Sequence, residues 1–251
     1  MKLTGVDVFS NFATALSEGV AHAGCFADTT ILFSATYPLD LFNEESEIVF
    51  DLIAPLKIPI FTNVNVRAEF LESHRRVLIA ECLIELLEDR ESTFDGAILE
   101  KLKAHRSSYR RKVAEEKTAK MDVSQIKMFR KLLSSYDFQG RDGWALFCRD
   151  YLQKRLSPIW EDVETEFELN FISLRSEEET PYLNSRPQWR MAVDLMGRYG
   201  IASADAMILN MFLCSKIPVL LTADVEMAEC AAKESKGAKR VFIPNSAIKT
   251  V

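Results

Sequence analysis

Length, composition and charge exclude several classes of protein. The chain has 251 residues, 48% hydrophobic and 27% charged, with a net charge of −6, values typical of one large globular domain or two small ones. No apolar run approaches the roughly 20 residues that cross a bilayer, and no uninterrupted apolar signal-peptide core follows Lys2. We therefore expect a cytoplasmic protein that does not associate with membranes.

The five cysteines and three histidines are scattered along the chain. No two cysteines form a Cys-x-x-Cys pair, and no histidine stands at zinc-binding spacing from a cysteine. Disulfides and structural zinc are therefore not expected. With so few histidines, we expect any catalytic groups to be carboxylates.

The predicted elements of the first ninety residues alternate between helices and strands. Residues 6–24 have apolar positions at helical spacing and end at a glycine, and "CFADTTILFSATYP" then predicts a strand, a turn at residues 28–30 and the start of a helix. Farther on, "SEIVFDLIAPL" predicts a helix and "KIPIFT" a strand. A long helix is predicted for "NVNVRAEFLESHRRVLIAECLIELLED", beginning at Asn63 or Asn65.

The pattern changes between about residues 91 and 180. Apolar positions at helical spacing persist there, but no β-branched run suitable for a strand appears. We therefore predict that 91–180 is a helical insertion or subdomain. The insertion ends at "RSEEETPYLNSRPQ", where charged residues and two prolines indicate a linker or loop.

Alternation resumes after this insertion. Helices are predicted for "PQWRMAVDLMGRYG", "SADAMILNMFLCSK" and "DVEMAECAAKESKG", and strands for "IPVLLTA" and "KRVFIP". Strands separated by helices of this length predict a parallel sheet with helices on both faces. The expected fold class is therefore α/β, with residues 1–90 and 181–251 forming a Rossmann-type three-layer domain and 91–180 an all-helical insertion.

Three aspartates fall where functional groups gather in such a sheet. Asp28 and Asp224 directly follow strands, and Asp205 lies in the first turn of its helix. Each one alone is accounted for as a helix cap, because a carboxylate there accepts backbone N–H bonds. Three together would repel one another unless a cation neutralised them, and Mg²⁺ or Mn²⁺ prefers such oxygen ligands.

These segments together resemble a PIN-domain nuclease over residues 20–88 and 186–245. "ADTTILFSA" is similar to the family's Asp-Thr-Asn-Val-Leu opening, and "NVRAEFLE" carries a Glu early in the helix after the second strand. "GIASADAMIL" is similar to the family's glycine, spacer and Asp-Ala, and "VLLTADVEM" to its strand followed by Thr-x-Asp. The resemblance implies a PIN-like fold whose catalytic and metal-binding residues are Asp28, Glu69, Asp205 and Asp224.

Some positions depart from the family pattern or leave a choice open. Thr30 stands where the family often has Asn, and it is assigned a supporting role together with Thr222. Glu72, on the same helix face as Glu69, is an alternative for the second acidic position. Glu226 is an alternative for the fourth.

The resemblance implies a metal-dependent nuclease, most simply an endoribonuclease that hydrolyses RNA phosphodiester bonds at a Mg²⁺ or Mn²⁺ site. It implies RNA rather than DNA as the nucleic acid partner, and an antitoxin or other protein partner and a homodimer as further expectations. The alternative is a catalytically inactive PIN-like scaffold protein that docks RNA or a protein through its insertion. Another carboxylate–metal hydrolase, such as a phosphatase or a DNA flap-type nuclease, also remains open.

Basic residues concentrate between Lys101 and Lys131, where eleven lysines and arginines stand against three acidic residues. Charge-rich helices are usually only solvated faces, but one-turn spacing can also align a basic stripe toward a phosphate backbone. The predicted nucleic-acid-binding residues of this stripe are Arg106, Arg110, Arg111 and Lys112. Arg75 and Arg76, on the helix of Glu69, are a second candidate for contacting substrate.

Overall fold

Two compact units make up the chain, of which the computed structural model describes residues 6–94, 96–138, 140–172, 181–235 and 239–249. We call the first the α/β unit; it comprises Met1–Pro38, Phe42–Phe70 and Val163–Val251. We call the second the helical unit; it comprises Leu39–Leu41 and Leu71–Asp162.

Six parallel strands form the sheet of the α/β unit. They are β1 (Val6–Val8), β2 (Cys25–Ala27), β3 (Ile60–Thr62), β4 (Leu169–Phe171), β5 (Val219–Leu221) and β6 (Arg240–Ile243). Their order is β1-β6-β5-β2-β3-β4, and every neighbouring pair is parallel. All residues of β2, β3 and β5 are buried, as in a sheet that helices cover on both faces. The predicted three-layer α/β fold with a helical insertion is confirmed.

Thirteen α-helices are present in the described residues. They are α1 (Phe9–Ser17), α2 (Thr29–Thr36), α3 (Asn43–Ile53), α4 (Val64–Arg90), α5 (Gly96–Ala114), α6 (Val123–Ser134), α7 (Gly143–Phe147), α8 (Gln153–Leu156), α9 (Ile159–Glu166), α10 (Trp189–Tyr199), α11 (Ser203–Cys214), α12 (Val225–Glu234) and α13 (Asn245–Lys249). The predicted start of α4 is confirmed at Asn63, whose Oδ1 accepts hydrogen bonds from the backbone N–H groups of Asn65 and Val66. The predicted stop of α10 is confirmed at Gly200, which adopts a left-handed conformation.

The direction of the chain across the sheet reverses between β2 and β5. From β2 the chain moves through β3 to β4 on one side, and from β5 it moves to β6 on the other side. In open parallel sheets, ligands bind beyond the carboxyl ends of the two strands where the order reverses. The carboxyl ends of β2 and β5 therefore define the position at which a site is expected.

Residues 6–24, predicted as a single helix, contain a strand, an α-helix and a short 3-10 helix at Val20–Ala23. The stretch begins with β1, which pairs with β6, and continues as α1. The prediction missed β1 because its three residues also fit a helical spacing of apolar positions. Their strand conformation depends on a partner that lies more than 200 residues away in the sequence, between Arg240 and Ile243.

The prediction that residues 91–180 contain no strand is wrong. Strand β4 lies in this range and pairs with β3 through the registered residues Ile60 and Leu169. Its sequence, Leu-Asn-Phe, has no β-branched residue, and one phenylalanine beside an asparagine is too weak a signal to predict a strand. The unit boundaries consequently fall at 70/71 and 162/163, whereas the sequence placed them at 90/91 and 180/181. The predicted helix stop at Gly237 lies outside the described residues.

The helical unit has a hydrophobic core of its own. One face of α4 supplies the fully buried Ile79, Leu83 and Leu86, and Leu133 and Phe147 come from α6 and α7. Although α4 has 27 residues, neither it nor any other helix in the described ranges is long and apolar enough to cross a membrane.

Gly24 immediately precedes β2 and determines how closely the chain approaches β3 there. Its φ of 114° lies in a region that side chains rarely adopt. A Cβ atom at this position would lie 2.5 Å from Cε2 of Phe61 and 3.0 Å from the carbonyl oxygen of Pro59. Only glycine therefore allows β2 to approach β3 this closely.

Gly24→Ala should destabilise the α/β unit by roughly 2–6 kcal/mol, because backbone strain and overpacking each cost about 1–3 kcal/mol. Urea unfolding followed by circular dichroism measures this change in the free energy of unfolding. Gly197→Ala in α10 is the matched control, since a Cβ there meets nothing within 4 Å. The control should stabilise by about 0.5–1 kcal/mol; equal losses for both variants would contradict the packing at Gly24.

Candidate functional site

The four acidic residues predicted as a site lie where strands end and helices begin. Asp28 follows β2 as the N-cap of α2, and Asp224 follows β5 as the N-cap of α12. Asp205 lies in the first turn of α11. Glu69 lies in the second turn of α4, close after the end of β3. Two of the four thus flank the point at which the strand order reverses.

A hydrogen-bond network joins the ends of β2 and β5. The hydroxyl groups of Thr30 and Thr222 both donate to Oδ2 of Asp28, each at a distance of 2.8 Å. Both hydroxyl oxygens are themselves acceptors: Thr30 accepts from the backbone N–H of Ala223 at 2.9 Å, and Thr222 from that of Asp224 at 3.0 Å. Because both hydroxyl oxygens accept from backbone N–H groups, their hydrogens are available to Asp28; the supporting roles of Thr30 and Thr222 stay a prediction.

The second oxygen of Asp28 has no such support. Asp28 is only 1% exposed, and within the described residues no donor reaches its buried Oδ1 atom. A buried acceptor without a partner costs about 1–3 kcal/mol, and more when it is charged. Burial raises the pKa of Asp28; the threonine hydrogen bonds lower it in part, and the charge of Asp224 raises it further.

Asp205 is the residue on which the charges of the site converge. Its pKa is raised to about 7, first by burial and then by the negative charges of Glu69, Asp28 and Asp224, against a lowering contribution from the backbone of Ala202. All three of these carboxylates are therefore near enough to Asp205 to perturb it. The structure brings together the four acidic residues that the sequence singled out.

Helix capping accounts for two of these carboxylates and not for the others. Asp28 accepts from the backbone N–H of Thr30 at 3.4 Å, and Asp224 accepts from that of Met227 at 3.0 Å. Asp205 lies in the first turn of α11 and interacts with the backbone of Ala202, the N-cap of that helix, which lowers its pKa in part. Partial burial and the neighbouring like charges outweigh this contact, so capping alone does not account for Asp205.

The two alternative acidic positions are less suited to the site. Both guanidinium contacts of Arg75 with Glu72 are 2.7 Å, and this pairing is the main reason that the pKa of Glu72 is lowered. Glu226 is exposed on α12 and is not among the charges that raise the pKa of Asp205. Glu69 and Asp224 therefore remain the candidates.

The donor set fits a hard divalent cation. All candidate ligands are carboxylate oxygens, and the unpartnered Oδ1 of Asp28 supplies an acceptor that a cation would satisfy. Among the residues that the structure describes, no three His, Cys, Asp or Glu side chains are arranged to enclose one ion. Mg²⁺ is commonly held by one or two carboxylates and keeps several waters, so a fully protein-built cage is not required.

The predicted nucleic-acid-binding residues belong to the helical unit. Arg106, Arg110, Arg111 and Lys112 lie on α5, as the helical spacing predicted. Arg110 is exposed and makes only a 3.4 Å ion pair with Glu88. The second predicted group, Arg75 and Arg76, already has partners within the protein. Arg75 pairs with Glu72, and Nε of Arg76 donates to the carbonyl oxygen of Met121 at 2.6 Å.

Sequence reasoning missed the hydrogen bond that orients Glu69. The hydroxyl of Thr29 donates to Oε2 of Glu69 at 3.0 Å, and Thr29 is itself buried. The only local signal was the run of two threonines after Asp28. Because the partner lies 40 residues farther along the chain, no local pattern identifies this contact.

Comparison with known proteins identifies no relative: no protein-family profile matches the sequence, and no match was found among curated proteins or solved structures. The resemblance to PIN-domain nucleases therefore rests on the segments quoted above and stays a prediction.

The titration of Asp205 should make stability fall as the pH rises. In the folded chain Asp205 keeps its proton up to about pH 7, whereas it ionises near pH 4 in the unfolded chain. The stability that it contributes below about pH 4 is therefore lost as the pH rises to about 7. In EDTA, urea unfolding of the wild type relative to Asp205→Asn should show a loss of at most about 2 kcal/mol over this range, a value discounted for the partial exposure of Asp205. A difference that does not change with pH would contradict the charge clustering.

Proposed function

We propose that the protein is a divalent-cation-dependent nuclease that hydrolyses RNA phosphodiester bonds at the carboxyl ends of β2 and β5. The observation that carries this proposal is the meeting of Asp28 and Asp224 at the ends of β2 and β5, where Oδ1 of Asp28 is buried without a donor among the described residues. Glu69 and Asp205 add negative charge that is unfavourable in an empty site and becomes favourable once a cation is bound. The resemblance of the four segments to PIN-domain nucleases supports the same assignment.

The four carboxylates would hold Mg²⁺ or Mn²⁺, which supplies a water of lowered pKa and neutralises charge on the phosphoryl oxygens. The rest of the chain orients these ligands. Thr30 and Thr222 fix Oδ2 of Asp28, and Thr29 fixes Oε2 of Glu69. Asp205, protonated up to about pH 7 when no cation is present, would release its proton on cation binding.

The preference for RNA and the protein partners are part of this proposal. RNA, an antitoxin or other protein partner, and a homodimer follow from the family resemblance. The basic stripe of α5 adds an independent electrostatic reason for a polyanionic partner, since four cationic side chains occur within seven residues of one helix.

An inactive scaffold protein is the second candidate, and one observation favours it. The side chains of Asp28 and Asp224 each cap a helix, a role that stabilises the fold without any metal. This candidate predicts RNA or protein binding without cleavage.

Cleavage of labelled single-stranded RNA should require Mn²⁺ or Mg²⁺ and stop in EDTA. Asp28→Asn and Asp205→Asn should each lower the rate by more than about 100-fold, because loss of a ligand exceeds the 10–100-fold cost of disturbing a group that only orients one. Thr222→Val should fall within that smaller range. Asp194→Asn, at an exposed aspartate of α10, is the matched control and should cleave normally.

Cation binding has a readout that does not depend on turnover. Mn²⁺ at about 100 times its Kd should raise the Tm of the wild type by roughly 5–10 °C and leave Asp205→Asn nearly unchanged. If wild type and Asp28→Asn bind RNA equally and neither cleaves it, the scaffold function replaces the nuclease.

Neutralising the basic stripe tests its contact with RNA. Arg106→Gln, Arg110→Gln and Arg111→Gln together should weaken RNA binding, and the slope of log affinity against log salt should fall by about 2, or about 0.7 for each phosphate contact. The control combines Lys117→Gln, Arg149→Gln and Lys154→Gln; two of these residues already form ion pairs with acidic neighbours. Equal slopes for the two triple variants would show that the stripe is only a solvated face.

A further inference from the structure

A surface that combines aromatic and basic side chains lies in the α/β unit, at the start of α10. Trp189, the first residue of α10, is 63% exposed, and Tyr182 is 43% exposed. An exposed tryptophan sacrifices much of the free energy available from burying its ring, so its exposure is informative. The sequence pattern assigned this helix only a structural role.

Several contacts hold the surface in place. The fully buried Asn210 of α11 donates from Nδ2 to the carbonyl oxygen of Gln188 at 2.9 Å, which anchors the residue before Trp189. The backbone N–H of Lys216 donates to the carbonyl oxygen of Tyr182 at 2.7 Å. The ring of Tyr182 also packs on Phe61, with 4.9 Å between centroids. The aromatic rings are therefore carried by backbone that both α11 and the start of β5 support.

Three basic side chains of this part of the chain form no ion pair with the residues that the structure describes. Arg186, Arg190 and Lys216 are exposed, and none of them forms an ion pair within the described ranges of the chain. Arg198, two turns farther along α10, behaves differently: its guanidinium contacts the carboxylate of Glu234 at 2.5 and 3.3 Å. Two of these cations adjoin the rings directly, since Arg190 follows Trp189 in α10 and the backbone of Lys216 bonds to that of Tyr182, in a chain whose net charge is −6.

We infer that this surface binds a single-stranded polynucleotide. We call it the α10 surface and define it by Tyr182, Arg186, Trp189, Arg190 and Lys216. The exposed ring of Trp189 stacks on an unpaired base, and the cations contact the flanking phosphates. Bases offer their faces to aromatic side chains only in single strands, because a duplex keeps them stacked on one another.

A protein partner fits this surface less well. The exposed apolar area is confined to Tyr182, Trp189 and Val193, whereas protein interfaces bury a larger and more contiguous patch. Lysine is depleted in such interfaces, and a cluster of like charges without acidic partners would have to be desolvated. A polynucleotide instead supplies a negative charge at every residue.

The inference rests on the proposed function, for which it names the substrate class. The α10 surface and the carboxylates belong to the same unit and share α11. Asp205 and Asn210 are five residues apart on α11, which corresponds to about 8 Å along its axis. A single strand that reaches both the carboxylates and Trp189 would have to run past α11.

The test measures binding without cleavage. A fluorescein-labelled uridine dodecamer is titrated in EDTA with the wild-type protein and with Trp189→Ala, and anisotropy gives Kd. The affinity should fall about 5- to 150-fold in Trp189→Ala, whereas Trp189→Phe, which keeps an aromatic face, should lose much less. With the unlabelled dodecamer, quenching of tryptophan emission should fall in Trp189→Ala, because of the two other tryptophans Trp160 is only 2% exposed and Trp144 is partly buried.

The charge contribution has a matched pair on one helix. Arg190→Gln should lower the salt slope of dodecamer binding by about 0.7, and Arg198→Gln, whose charge Glu234 already balances, should leave it unchanged. A deoxythymidine dodecamer should bind with similar affinity, and a 12-base-pair RNA duplex should bind more weakly and without sensitivity to Trp189→Ala.

The outcomes separate this inference from the nuclease. Dodecamer affinity that is unchanged in Trp189→Ala overturns the inference, whether or not the carboxylates cleave RNA. Trp189-dependent binding by a protein that cleaves nothing supports the inference and leaves the nuclease rejected. If Trp189→Ala abolishes self-association in analytical ultracentrifugation but leaves dodecamer affinity intact, the surface joins two copies of the chain and the inference is overturned.

Discussion

The pairing of β2 with β5 is the interaction on which the candidate site depends. Beyond the last paired residues, the backbone N–H of Asp28 still donates to the carbonyl oxygen of Leu221 at 2.9 Å. This bond brings Asp28 beside Thr222, and the Thr30 hydroxyl completes the link with Ala223. A local change that separated these two strand ends would therefore break the hydrogen-bond network and also move Asp28 away from Asp224.

Some carboxylates of the candidate site stabilise the fold, whereas the repulsion among all four is unfavourable. Asp28 and Asp224 stabilise helices by capping them, whereas Asp205 is partly buried near three like charges, whose effect exceeds that of its contact with the backbone of Ala202. Residues that depart from the ordinary rules for stability are expected where function requires them. The raised pKa of Asp205 therefore separates this residue from the two acidic helix caps.

Local patterns predicted the fold to a large extent, because buried parallel strands and capped helices carry their own signals. The start of α4 at Asn63 and the end of α10 at Gly200 are such cases. Strands β1 and β4 were missed because three residues acquire strand conformation only from a distant partner. The four acidic positions were predicted, but the Thr29 bond to Glu69 and the exposure of Trp189 depend on tertiary structure that no local pattern encodes.

The sequence distance between β2 and β5 also constrains the order in which the chain folds. Their registered residues are 194 positions apart, from Cys25 to Val219, and nearly the whole helical unit is a single continuous segment between them. Long-range pairing closes slowly because loop entropy opposes it, whereas the helices of residues 71–162 pack through nearer contacts. During synthesis the helical unit can be complete before β5 exists. The carboxylate cluster is thus a late product of folding, and a chain that ends before Val219 contains Asp28, Glu69 and Asp205 but lacks both Asp224 and the central strand pair.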